Sequence, residues 1–185
     1  MRLFVALDLE APIAARLHEA LQAWRRIAPQ ARWTRVESLH LTLKFIGEVP
    51  PAMEDRLIDA LRAIRQAAFP LEMSGLGTFP SPQRARVFWA GIQPSPPLQH
   101  LARSIEQQLI PLGIAAEPRP FAPHLTLARG RTPTELRPLL PLLDQEPPLW
   151  GRQMAEAFYL YQSHPSRGTY QYEKRHAFPL VEGRK

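Results

Sequence analysis

The sequence predicts a mixed α+β fold built from two similar halves, and three observations lead there. The tetrapeptide His-Leu-Thr-Leu occurs at 40–43 and again at 124–127, 84 residues later, in a chain with only six histidines. Self-similarity of this kind marks an internal duplication. Segments of period two alternate with segments of period 3.6, so strands and helices are interleaved. Each half reads as a strand, a helix, a His-Leu-Thr-Leu strand and a further helix. The 185 residues suffice for one well-buried domain, or for two small lobes sharing a core.

Taken in order, the run from Arg2 to Leu7 is apolar and predicts a first strand, too short and too soon followed by acids to be a secretory signal. Ile13, Leu17, Leu21 and Trp24 recur at helical spacing, with Pro12 where a first turn tolerates it, and predict a helix over 11–28. Residues 32–45 carry the first copy, and Pro50-Pro51 open a second helix with Met53, Leu57, Leu61 and Ile64 on its buried stripe. Strands are expected over 71–76 and 86–92, joined by a loop over 77–82. Pro94-Ser95-Pro96-Pro97 is the clearest punctuation and the candidate junction between halves. Leu98, Leu101, Ile105 and Leu109 predict a helix over 97–112, after which Pro118, Pro120 and Pro123 keep the chain extended into the second copy. A fourth helix is expected over 133–143, with Thr132 or Thr134 near its start. Two strands, over 156–162 and 169–180, close the chain around a polar turn containing Ser163, Pro165 and Gly168.

Composition narrows the chemistry. Zero cysteines remove disulfides, thiolate nucleophiles and cysteine zinc sites, and fit a reducing cytoplasm. No stretch approaches the ~18 apolar residues of a membrane span. The formal charge of +6 points to an anionic partner, and only Lys44, Lys174 and Lys185 of the 23 basic residues are lysine. Arginine grips phosphate bidentately, although compositional bias explains the excess equally well.

Period two places His40, Thr42 and Lys44 on one face of their strand, opposite Leu39, Leu41, Leu43 and Phe45. The second copy likewise sets His124, Thr126 and Ala128 opposite Leu125 and Leu127. Two such strands facing one groove converge a His-Thr pair from each side, which suits a phosphodiester. One neutral imidazole takes a proton from attacking water while the other, protonated, donates to the leaving oxygen. The threonines bond the non-bridging oxygens, and no cofactor is needed. Two histidines without an acidic cluster make a poor metal shell, and neither Gly-x-Ser-x-Gly nor a phosphate-binding glycine motif is present. His18, His100, His164 and His176 read as structural or surface residues, two in helices, one before a proline and one in a basic terminal segment.

Arg2-Leu3-Phe4-Val5-Ala6-Leu7, the stretch from Leu39 to Glu48 and the stretch from Pro120 to Arg129 together resemble the bacterial and archaeal RNA 2′,3′-cyclic phosphodiesterases, also called 2′-5′ RNA ligases, of the two-histidine phosphoesterase superfamily. The resemblance covers nearly the whole chain. It implies a bilobal α+β fold with two antiparallel sheets lining a central groove and helices outside, here one domain over 1–185 of two intertwined lobes. It also implies hydrolysis of RNA 2′,3′-cyclic phosphate ends to 2′-phosphomonoesters, with His40 as proton donor and His124 as proton acceptor.

RNA with 2′,3′-cyclic phosphate or 2′-5′ linkages is then the partner, with no membrane and no obligate protein partner, the chain acting as a cytoplasmic monomer. Lys44, Phe45, Arg129 and Tyr172 are the substrate-binding candidates, with Tyr170 a further aromatic that could stack a base. Phe45 has core parity on an unbroken strand, and Arg129 reaches the groove only if its strand breaks at Ala128. The segment 163–168 departs from the leucine-and-glycine turn of relatives. Ligation, the reverse chemistry, and non-catalytic RNA binding are the rival readings.

Overall fold

A nearly continuous apolar run buried on both faces is what a central strand requires, and Leu3 to Leu7 are all buried in strand β1 (Arg2–Leu7). The computed structural model describes residues 1–166 and 169–181. β1 lies between β3 (Leu41–Glu48) and β8 (Ala157–Ser166), and β9 (Thr169–Pro179) completes a four-stranded antiparallel sheet of order β3-β1-β8-β9. A second antiparallel sheet has the order β2-β6-β5-β4-β7, from β2 (Arg32–Trp33), β6 (His124–Arg129), β5 (Val87–Ile92), β4 (Phe69–Phe79) and β7 (Leu149–Ala155). Leaving out the two-residue β2, the orders correspond position by position, with β3 matching β6 and β1 matching β5.

The helices bury the stripes that their periodicity predicts. α1 (Ala11–Ile27) buries Ile13, Leu17 and Leu21, and α2 (Glu54–Arg62) buries Leu57 and Leu61. α3 (Pro96–Leu109) buries Leu98, Leu101, Ile105 and Leu109. The Pro94–Pro97 punctuation is the start of α3: Ser95 Oγ accepts the Leu98 N–H at 3.4 Å, and Pro96 and Pro97 occupy the first turn, where their missing donors cost nothing. One apolar core runs through residues of both sheets and of these helices. Among the described residues, no helix is long and apolar enough to cross a membrane.

Four expectations change. The fourth helix is a single turn, α4 (Pro133–Leu136), followed by 3-10 turns over Arg137–Asp144. Pro138 and Pro141 remove the donors that an α-helix there would need. β4 continues through Gly77 to Phe79, where a loop was expected. β8 likewise continues through Ser163 and Pro165, which were expected in a polar turn and instead pair with Tyr172 and Tyr170 of β9. Arg167 and Gly168 of that turn lie outside the described residues. Finally, β7 was not expected at all: Gly151 interrupts its pattern, at a register shift where a Cβ would stand 2.7 Å from Ile13.

Candidate functional site

Both motif strands break their alternation at the same place. Along β1 and β3, Ala6 pairs with Thr42 and Val5 with Lys44, leaving Leu43 unpaired. Along β5 and β6, Trp89 pairs with Thr126 and Phe88 with Ala128, leaving Leu127 unpaired. A bulge of one extra residue reverses the side on which every later residue projects. Leu43 and Lys44 are therefore buried in succession, as are Leu127 and Ala128. Phe45, 56% exposed, and Arg129 come out beside the histidines. At the second bulge, β2 continues alongside, and the Thr34 N–H donates to the Leu127 carbonyl at 2.9 Å.

Two sequence expectations fail here for that reason. Lys44 does not share the face of His40 and does not line the groove. It is 3% exposed, with Nζ 2.7 Å from the Ala115 carbonyl and 3.0 Å from Glu106 Oε1. Ala128, placed by alternation beside His124 and Thr126, is in the core. Phe45 and Arg129, whose parity on an unbroken strand pointed inward, line the groove instead.

The two imidazoles are anchored alike. His40 Nδ1–H donates to the Ser38 carbonyl at 2.8 Å, and His124 Nδ1–H donates to the Ala122 carbonyl at 2.7 Å. A carbonyl can only accept, so the neutral ring carries its proton on Nδ1 and presents the Nε2 lone pair elsewhere; protonation adds a donor at Nε2. Both rings face one groove of about 360 Å³, lined also by Thr42, Thr126 and Tyr172. His18, His100 and His164 instead meet Gln22, Gln66 and Glu173, His176 packs on Phe178, and none of the four lines the groove.

Aromatic walls hold the rings, and of these Tyr172 was a sequence candidate whereas Phe4, Phe79 and Trp89 were missed. His40 lies against Phe4, with centroids 4.7 Å apart, and meets the edge of Tyr172 at 5.0 Å. His124 meets Phe79 edge-on at 4.9 Å, and Trp89 stands 6.4 Å away. The Trp89 ring lies over Gly77, where a Cβ would come within 2.1 Å of it. A glycine inside a strand was the available signal for such close approach. Phe4 gave none, because it sits in an unbroken apolar run.

Electrostatics separates the two histidines. Burial pushes both below the ordinary value of 6.5. For His40, the Ser38 carbonyl and the Asp8 carboxylate push back up, while His124 pushes down. For His124, the Ala122 carbonyl pushes up and Arg129 pushes down. Asp8 accepts from the Tyr161 hydroxyl and, at 2.6 Å, from Lys174 Nζ. On the other side, Gly91 pairs with His124, and a Cβ there would lie 2.5 Å from the Ser74 carbonyl oxygen, so no side chain fits that place. Among the described residues, no group of three or more potential metal ligands comes together.

The family described as the 2′-5′ RNA ligase superfamily matches residues 10–164. An Escherichia coli K12 protein named RNA 2′,3′-cyclic phosphodiesterase is 36% identical, over 98% of this chain and 97% of its own. Relatives of the same name from Geobacillus stearothermophilus and Aeropyrum pernix are 34% and 38% identical, over 83% and 59% of this chain. The chain spans about half the length of the Geobacillus relative, 49%, and 62% of the Aeropyrum one. The crystal structure of Escherichia coli LigT complexed with 3′-AMP superposes with a TM-score of 0.79 at 31% identity, covering 98% of both chains. A Thermus thermophilus protein superposes with a TM-score of 0.82 at 27% identity, covering 99% of this chain and all of its own.

Proposed function

The chain belongs to the 2′-5′ RNA ligase superfamily, and from that premise we propose that it hydrolyses RNA 2′,3′-cyclic phosphate ends to 2′-phosphomonoesters. One observation carries the reading: two imidazoles, anchored identically through Nδ1 and each two residues before a threonine, line a single groove. Water attacks phosphorus as His124 Nε2 takes its proton. The P–O3′ bond breaks as His40 Nε2–H protonates the departing oxygen, leaving a free 3′-hydroxyl and a 2′-phosphate. Thr42 and Thr126 donate to the non-bridging oxygens as charge shifts onto them. Phe45 and Tyr172 offer faces to a base, and Arg129 offers its guanidinium to phosphate.

The donor role of His40 and the acceptor role of His124 are those the family resemblance implies, and the neighbours support them: the carboxylate of Asp8 favours imidazolium at His40, and the cation of Arg129 favours neutral imidazole at His124. The same reading takes the chain as one domain of two intertwined lobes, working as a cytoplasmic monomer without cofactor or obligate protein partner. The matched strand order and the matched bulges support the two similar lobes.

The test is an oligonucleotide ending in a 2′,3′-cyclic phosphate, offered alone and beside a 5′-hydroxyl strand, with products resolved as 2′-phosphate, 3′-phosphate or joined RNA. The 2′-phosphate is expected in both arms. If only joined product forms, the hydrolase reading fails.

A pH profile tests the roles. The acceptor must be neutral, so rate is lost as pH falls through the pKa of His124. The donor must be protonated, so rate is lost as pH rises through that of His40. Both lie below 6.5, so the maximum is expected on the acid side of the ordinary histidine value. Asp8→Asn removes an anion that raises His40, while Tyr161 and Lys174 remain around it. The limb that His40 governs is expected to move to lower pH and the limb that His124 governs to stay. An unmoved profile would remove Asp8 from the tuning of His40.

A further inference from the structure

We propose that Lys44 is a positioning residue, tying the strand of the first motif to the approach of the second so that His124 is held in register across the groove from His40. The inference rests on the functional reading above. The bulge at Leu43 turns Lys44 away from the groove toward α3 and the chain that follows it. There Nζ donates to the Ala115 carbonyl at 2.7 Å and to Glu106 Oε1 at 3.0 Å, with Glu117 Oε1 at 3.6 Å. Glu106 Oε1 also accepts the Glu117 N–H at 2.6 Å.

Ala115 and Glu117 begin the segment 115–123, which leads directly into β6. Gln99 Nε2, also on α3, donates to the Phe121 carbonyl at 3.5 Å near the other end. Pro118, Pro120 and Pro123 remove φ freedom in between. The next carbonyl, of Ala122, is the one that accepts His124 Nδ1–H. Lys44 thus holds the start of a stiff segment whose far end orients the second imidazole. The matching position in the second motif is Ala128, which offers no tie in return.

A buried lysine that only filled space would leave the histidines alone when replaced. Lys44→Met removes the donor to Ala115 while keeping an unbranched side chain one atom shorter. If the tie positions the Ala122 carbonyl, the hydrogen bond that raises His124 weakens. The ring C–H resonances, followed by NMR through a pH titration, are then expected to show the His124 midpoint lowered and that of His40 unchanged. With a cyclic-phosphate oligonucleotide, kcat is expected to fall about tenfold with KM within about twofold, as for a misplaced reacting group.

Glu106→Gln keeps the lysine, its bond to Ala115 and an acceptor oxygen at 106, while removing the negative charge that Nζ meets. It is expected to shift the same midpoint in the same direction by less, and it serves where Lys44→Met fails to fold. An unchanged His124 midpoint in a folded variant overturns the proposal, as does a raised KM at unchanged kcat, which would return Lys44 to substrate binding. The titration reads out with no turnover, so an inactive parent protein would defeat the functional reading without deciding this one.

Discussion

Replacing either His40 or His124 by alanine is expected to lower kcat on a cyclic-phosphate oligonucleotide by about 10²–10⁴-fold, the range of a general acid or base, while the affinity for RNA changes little. The two imidazoles act on the same displacement, one at the entering oxygen and one at the departing oxygen. The double variant should therefore be little worse than either single one, as for groups that act as a unit. Asparagine is the sharper substitution. Its amide nitrogen can still donate to the Ser38 or Ala122 carbonyl that His40 or His124 now uses, so the local backbone keeps its partner. It has no nitrogen that titrates near neutrality. Loss of turnover in His40→Asn and His124→Asn at unchanged melting temperature assigns the effect to proton transfer. Undiminished activity in both alanine variants would leave only RNA binding as the role of the groove, and arginine substitutions would then weaken binding with a shallower salt dependence.

What the sequence made legible is what a local pattern can encode. Repetition of His-Leu-Thr-Leu announced two halves, and period two placed each histidine beside its threonine, which the groove lining bears out. Helical stripes such as Ile13, Leu17 and Leu21 were read correctly because burial follows a period contained within one segment. Alternation failed just past each threonine, at Leu43 and Leu127. A bulge is a property of pairing between strands, and nothing in the five residues from Thr42 to Ile46 states that β1 skips two of them, Leu43 and Ile46. Hence alternation put Lys44 on the groove and gave Phe45, a substrate-binding candidate, the parity of the core, the reverse of their places.

The aromatic walls were hidden for a related reason. Phe4 and Tyr161 stack at 5.3 Å, yet they come from opposite ends of the chain and meet only because β8 closes on β1. Asp8 meets Tyr161 and Lys174 by the same closure, so the charge that distinguishes His40 from His124 could not be seen from either motif.

That distinction concerns proton transfer, and the threonines test the remaining part of the mechanism. Thr42→Val and Thr126→Val are each expected to lower kcat by about 10²–10³-fold, the cost of removing one donor to a developing oxyanion. Valine keeps the branched shape and the strand preference of threonine, so an explanation by β-propensity alone predicts no loss of activity and no loss of stability. Thr42→Ser and Thr126→Ser keep the hydroxyl and should retain most of the rate.

The pseudo-symmetric site adds a sharper requirement: the two threonines approach from different sheets, so each should serve a different non-bridging oxygen. A cyclic phosphorothioate places sulfur, a poor acceptor, at one oxygen or the other according to its diastereomer. Thr42→Val should be nearly indifferent to sulfur at the oxygen that Thr42 serves, yet remain slowed by sulfur at the other, and Thr126→Val should show the opposite preference. Equal sensitivity to both diastereomers in both variants would mean that the hydroxyls do not divide the two oxygens between them, and the electrostatic role would pass to Arg129.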